Sequence, residues 1–149
     1  MSQVCSLTLF LGRLCISTLF ILAGVGKFLD YEGTASYMSS KGFTMIPFFL
    51  VGAALIEIIG GILLLFGYKT KIAAALLLLF LLPTTLIFHD FWMAATLPAK
   101  QIQLSEFLKN LAIFGGLLYV LGSGSGKYSV DACCCSSSCN TKPPVSPIR

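Results

Sequence analysis

A chain of 149 residues that is 56% hydrophobic and 11% charged, with a mean hydropathy of +0.90, cannot furnish the polar shell of a soluble domain, where about a quarter of the residues are charged. Its formal net charge is +4, and nucleic acid is not an expected partner. These values define an integral membrane protein built as one compact domain, with the lipid bilayer as its first partner.

Four apolar stretches follow in chain order. The first runs from about Leu7 to Phe28 and is interrupted by Arg13; the second runs from Ile46 to Phe66 and is interrupted by Glu57. The third, Ile72 to Phe88, is uncharged, and the fourth reaches from near Phe107 to Leu121. About 20 helical residues cross the hydrocarbon layer, so the last two must borrow a turn from "HDFWM" and "QLSE". Without the ten-residue alternation of a barrel, the pattern predicts an all-α membrane four-helix bundle with short loops and spans near 7–28, 46–66, 72–90 and 104–121. Cleavage of the first segment as a signal peptide is disfavoured, because it lacks a basic leader and carries Arg13 within its apolar run. Lys69, Lys71, Lys127, Lys142 and Arg149 modestly outweigh Lys41 and Lys100, with Lys27 and Lys109 at the helix edges, which predicts both termini in the cytoplasm and residues 29–45 and 89–104 outside.

After Leu121 the composition changes to Gly, Ser and Pro, so a domain over 1–131 is expected to give way to a disordered tail over 132–149. Cys133, Cys134, Cys135 and Cys139 lack the spacing of a zinc site, and no histidine stands near them. No metal is expected, and Cys5 and Cys15 read as small apolar residues of the first helix.

The charged groups inside the spans carry the functional signal. Arg13, Ser17, Phe20, Gly24 and Lys27 share one face of the first helix, with Lys27 about 21 Å from Arg13 along the axis. On the second span Ala53, Ala54, Glu57, Gly60 and Gly61 share a face of small residues suited to close helix packing. Arg13 and Glu57 both read as deep in the bilayer and are expected to face each other, either as a structural pair or as part of a proton or ligand site. A second group gathers at one membrane surface: Lys27, His89, Asp90, Glu106, Lys109 and Asn110. There Asp90 and Glu106 are expected to balance the two lysines, leaving His89 turned inward and free to exchange a proton. Thr85, one turn earlier, is placed to orient its ring; Phe91 and Trp92 read as interfacial anchors, and Pro83 as a bend in the third span.

The segments "LGRLCISTLFILAGVGKFLD", "SSKGF", "LIEIIGGILLLFGYKTKIAA", "TTLIFHDFW" and "FLKNLAIFGGLLYVLGSGSGKYSVD", in this order, resemble the DoxX family of small membrane proteins. The likeness covers about residues 7–131 and leaves out the cysteine-rich tail. It implies a four-helix bundle in the cytoplasmic membrane. Some members of that family are subunits of a thiosulfate–quinone oxidoreductase, and others belong to membrane redox complexes that handle thiol stress. By position, its recurrent polar residues correspond to Arg13, Lys27, Glu57, His89, Lys109 and Asn110.

The expected function is therefore that of a membrane subunit of a redox complex, with a site for a quinone or small anion inside the bundle. No cofactor motif is present in the sequence, so electrons would come from a soluble or membrane oxidoreductase partner. The alternatives are a small transporter or channel-like homo-oligomer, and a scaffold or assembly factor whose buried charges only fix packing. Flux through vesicles would identify the first; neither flux nor quinone binding would identify the second.

Overall fold

The computed structural model describes residues 3–133, and five α-helices and one 3-10 turn account for most of them. Helix α1 spans Gln3–Leu29, α2 Tyr31–Ser40, α3 Ile46–Phe66, α4 Thr70–Phe88 and α5 Leu97–Ser123, with the 3-10 turn at Phe91–Met93. Segments within or extending α1, α3, α4 and α5 are long and apolar enough to span a membrane: Ser6–Leu29, Ile46–Phe66, Thr70–Met93 and Leu97–Ser123. Most residues in these windows face outward. Leu22, Phe48 and Leu79 are 65%, 71% and 78% exposed, an arrangement suited to lipid rather than water. The expected four-helix bundle is the fold.

The four long helices form a ring in the order α1, α3, α4, α5, with the most extensive interface between α1 and α3. Small residues make that approach possible. A Cβ on Gly24 would lie 2.9 Å from the Ala54 carbonyl oxygen, and one on Gly61 would lie 3.2 Å from that of Ser17. Backbones this close gain dispersion contacts that larger side chains would prevent. Phe20, Leu64, Leu77, Leu81, Leu117 and Val120 fill the centre of the ring.

Three local features set the registers. Helix α3 ends at Gly67, whose φ of 66° is open to glycine at little cost. The next residues turn sharply, and α4 starts three positions later. Pro98, in the first turn of α5, and Thr96, whose hydroxyl accepts from the Ala99 N–H at 3.4 Å, start α5 upstream of its apolar stretch. The fourth span is accordingly longer than the region near 104–121 suggested by hydropathy alone.

Helix α2 has no counterpart in the hydropathy pattern, where residues 29–45 read only as an outer connection. Its 10 residues, "YEGTASYMSS", are too few and too polar to cross a bilayer. Asp30 nevertheless caps it as a helix, accepting from the Gly33 N–H at 3.2 Å. At the far end of the chain, residues 130–133 form a helical turn against the α3–α4 connection. The disorder expected for the remainder of the tail concerns residues 134–149, which lie outside the described residues.

Candidate functional site

A cavity of about 300 Å³ lies inside the ring on the α2 side. Leu19, Phe20 and Ala23 of α1, Leu50 of α3, Leu81 of α4 and Ile113 of α5 make its walls apolar. Lys27, Glu57, His89 and Asn110 bring polar groups to it from four different helices or helix ends, with Thr84, Thr34 and Tyr37 beside them. Four of the six residues proposed from sequence therefore meet in one chamber.

Lys27 Nζ donates to Glu57 Oε2 at 2.6 Å, with side chains 26% and 9% exposed. This overturns the expected Arg13–Glu57 pair. The antiparallel docking of α1 on α3 sets Gly24 against Ala54 and Glu57, so the lysine one turn beyond reaches the carboxylate. Arg13 lies 11 residues before Gly24, about 16 Å along the axis. It meets α3 only where that helix ends at Gly67.

Arg13 is 1% exposed, and its Nη2 donates to the Tyr128 carbonyl. Its Nη1 occupies the space that a Cβ on Gly67 would need. Nearby, Asp131 caps α4. Its Oδ1 accepts from the Lys69 N–H at 2.8 Å, and its Oδ2 accepts from the Thr70 N–H at 3.0 Å and the Thr70 hydroxyl at 2.9 Å. Partial burial pushes the Asp131 carboxyl up, but the hydrogen bonds from Thr70 and Lys69 and the charge of Arg13 outweigh it and hold it below its ordinary value. Arg13 thus belongs to a structural clamp at the opposite end from the chamber.

His89 turns inward, as expected, but Thr85 does not orient it. The Thr85 hydroxyl donates to the Leu81 carbonyl at 2.7 Å, the usual alternative for a threonine within a helix. Gln103 of α5 takes that role: its Oε1 lies 3.3 Å from His89 Nδ1. The expected charge balance also changes. Glu106 pairs with Lys109 at 2.5 Å, whereas Asp90 pairs with Lys41 at 2.5 Å. Lys109 is 60% exposed and stands outside the chamber lining. Trp92 is 52% exposed and packs edge-on against Phe91 and Phe107, consistent with an interfacial anchor.

Helix α2 lies across one side of the chamber, contributing Thr34, Tyr37 and Met38 to its lining. Met38 is buried, the Tyr37 hydroxyl donates to the Phe88 carbonyl at 2.6 Å, and Gln103 Nε2 donates to Tyr37 Oη at 3.3 Å. The Lys41–Asp90 bridge and the stack of Phe43 on Phe88, centroids 5.5 Å apart, fasten the far end of this cover. Tyr37, Met38, Gln103 and Thr84 escaped the sequence reading. The start signal "DYE" and the stop "KG" around residues 30–42 mark α2, but nothing in the sequence says that it folds over the bundle. Among the described residues no His, Cys, Asp and Glu gather in a way that could hold a metal ion.

The bundle, with its four spans and an apolar cavity edged by polar groups, defines a multi-pass membrane protein. The DoxX family model matches residues 8–90, a stretch that includes Lys27, Glu57 and His89. The chain is 36% identical over 121 residues to the inner membrane protein YqjF of Escherichia coli (strain K12), an alignment covering 80% of this chain and 86% of that protein. It is 31% identical over 123 residues to the inner membrane protein YphA of the same strain, covering 83% and 87%. A further relative, the ER-derived vesicles protein ERV29 of Saccharomyces cerevisiae (strain ATCC 204508 / S288c), is 32% identical over 123 residues, but only 32% of its length is covered. No solved structure matches the chain. The chain belongs to the DoxX family.

Proposed function

We propose that this DoxX-family protein is an inner-membrane subunit of a redox complex and binds a quinone in the chamber beneath α2. The observation that carries this reading is the convergence of Lys27, Glu57, His89 and Asn110 on one apolar cavity. A quinone head group presents two carbonyl oxygens on a flat apolar ring, and this donor set fits it. The Lys27 ammonium and the Asn110 amide are donors, while His89 can donate or accept.

A bound quinone would supply the capacity to take up two electrons and two protons. The protein's own part is to bind, to exclude water and to move protons. Glu57, already hydrogen-bonded to Lys27, and His89, held by Gln103, both line the chamber and serve as proton carriers. The cover formed by α2 narrows the access of bulk water to the chamber. Electrons would arrive from a partner oxidoreductase, because the sequence carries no motif for a redox cofactor of its own. The names of the two bacterial relatives support the inner membrane, and the lysine bias supports cytoplasmic termini.

The test is purification in mild detergent, identification of co-purifying quinones by mass spectrometry, and titration with a short-chain benzoquinone. Saturable binding is expected, weakened about tenfold by Asn110→Leu or His89→Leu, the loss of one hydrogen bond worth about 1–1.5 kcal/mol. The absence of both co-purification and saturable binding, or wild-type affinity in both variants, would overturn the reading.

A further inference from the structure

The end of the bundle opposite the chamber holds an open basin of about 570 Å³. Lys69 and Lys71 line it from the start of α4, and Lys127 lines it from the segment after α5. The chain has six acidic residues, and five of them, Asp30, Glu32, Glu57, Asp90 and Glu106, lie at mid-span or towards α2. Only Asp131 reaches the basin, and both its oxygens are engaged by the first residues of α4. Among the described residues, Lys69, Lys71 and Lys127 form no salt bridge. Residues 134–149 contain no Asp or Glu.

The basin is a built feature rather than a scatter of surface lysines. Asp131 ties the segment after α5 to the start of α4, and its own N–H donates to the Gly67 carbonyl at 3.0 Å. Between the lysines, the chain passes through Gly124 and Gly126 with φ of 77° and 72°. The wall there is backbone and the Ser125 side chain, not bulk.

We infer that this basin binds the phosphate of an anionic membrane phospholipid. Its depth selects a lipid over a free anion. The third and fourth spans end here, at Thr70 and Ser123, which sets the lysines at the level of lipid phosphates. Ile72, 63% exposed, continues the lining towards the bilayer and offers an apolar surface to the acyl chains. Basic side chains at an anionic leaflet each strengthen association about fivefold.

The test uses the full chain in nanodiscs of phosphatidylcholine with a rising fraction of phosphatidylglycerol, and native mass spectrometry counts the anionic lipid retained on release. One retained phosphatidylglycerol per chain is expected. Lys71→Gln or Lys127→Gln should weaken retention about fivefold, and the two together about 25-fold if additive. Lys71→Arg with Lys127→Arg should retain the lipid, as should Lys100→Gln at the other membrane face. Thermal melting of each variant separates lost binding from lost folding, and the two single variants serve if the double variant fails to fold. Equal loss in Lys100→Gln would reduce the effect to bulk charge and overturn the site, as would unchanged retention in the Gln variants. Displacement of the lipid by inorganic phosphate at comparable concentration would overturn the lipid assignment in favour of a free anion.

Discussion

The Lys27–Glu57 pair yields the sharpest prediction, because its two members are unequally buried. Removing one partner of a buried ion pair costs about 3–5 kcal/mol, chiefly from the charge left behind. In Lys27→Met the stranded group is Glu57, 9% exposed and in the middle of α3, on a side chain too short to reach water. The full 3–5 kcal/mol is expected there. In Glu57→Gln the stranded group is Lys27, 26% exposed and near the end of α1. Its long stem can carry the ammonium towards the surface, and the Gln carbonyl can still accept from it. A cost of about 1–2 kcal/mol is expected, in line with weakening one charged hydrogen bond. The double variant should be more stable than Lys27→Met alone. Unfolding by denaturant titration in detergent micelles, followed by helix signal, measures all three. Equal losses in the two single variants would refute the burial argument. A second cycle tests the helix register: Arg13→Gln and Glu57→Gln should add to within about 0.5 kcal/mol, since Arg13 belongs to the other end. Strong coupling between them would refute the observed docking of α1 on α3.

Asp131→Asn should cost about 1–2 kcal/mol by weakening the cap of α4. Because the folded carboxyl sits below its ordinary value, its contribution is present above the ordinary carboxylate range and disappears as pH falls through the lowered folded value. The gap in melting temperature between wild type and Asp131→Asn should therefore close on the acid side; a constant gap would show that the charge is not what stabilises the cap. Gly24→Leu forces a side chain into the Ala54 carbonyl and Ile58 and should cost at least about 1–3 kcal/mol, whereas Gly26→Leu, with nothing nearby, should be tolerated in the same melting assay. Tyr37→Phe removes one hydrogen bond to Phe88 and one from Gln103, about 1–2 kcal/mol of fastening. Hydrogen exchange over residues 31–40 should rise in that variant while the long helices stay protected.

How much of this protein is readable without its fold follows from the range over which each force acts. Hydropathy is a property of contiguous residues, so the four spans are present in "ILLLF" and its like before any contact forms. Face assignments are equally local: Gly24 and Lys27 share a helix face, and so do Glu57 and Gly61, and the structure uses these groups at the α1–α3 interface. The His89 turn and the Trp92 anchor likewise follow from position at the end of an apolar run. Partner choice is different, because it depends on a register between helices distant in sequence. Charge alone makes Arg13 and Lys27 equal mates for Glu57. The choice of Lys27 comes from close backbone packing at Gly24 and Gly61, which fixes the axial offset of α1 against α3. The folding of α2 over the chamber was equally hidden, since it rests on contacts of Tyr37 and Lys41 with Phe88 and Asp90, about 50 positions away. Local chemistry names the polar residues; only long-range packing decides which of them share a chamber.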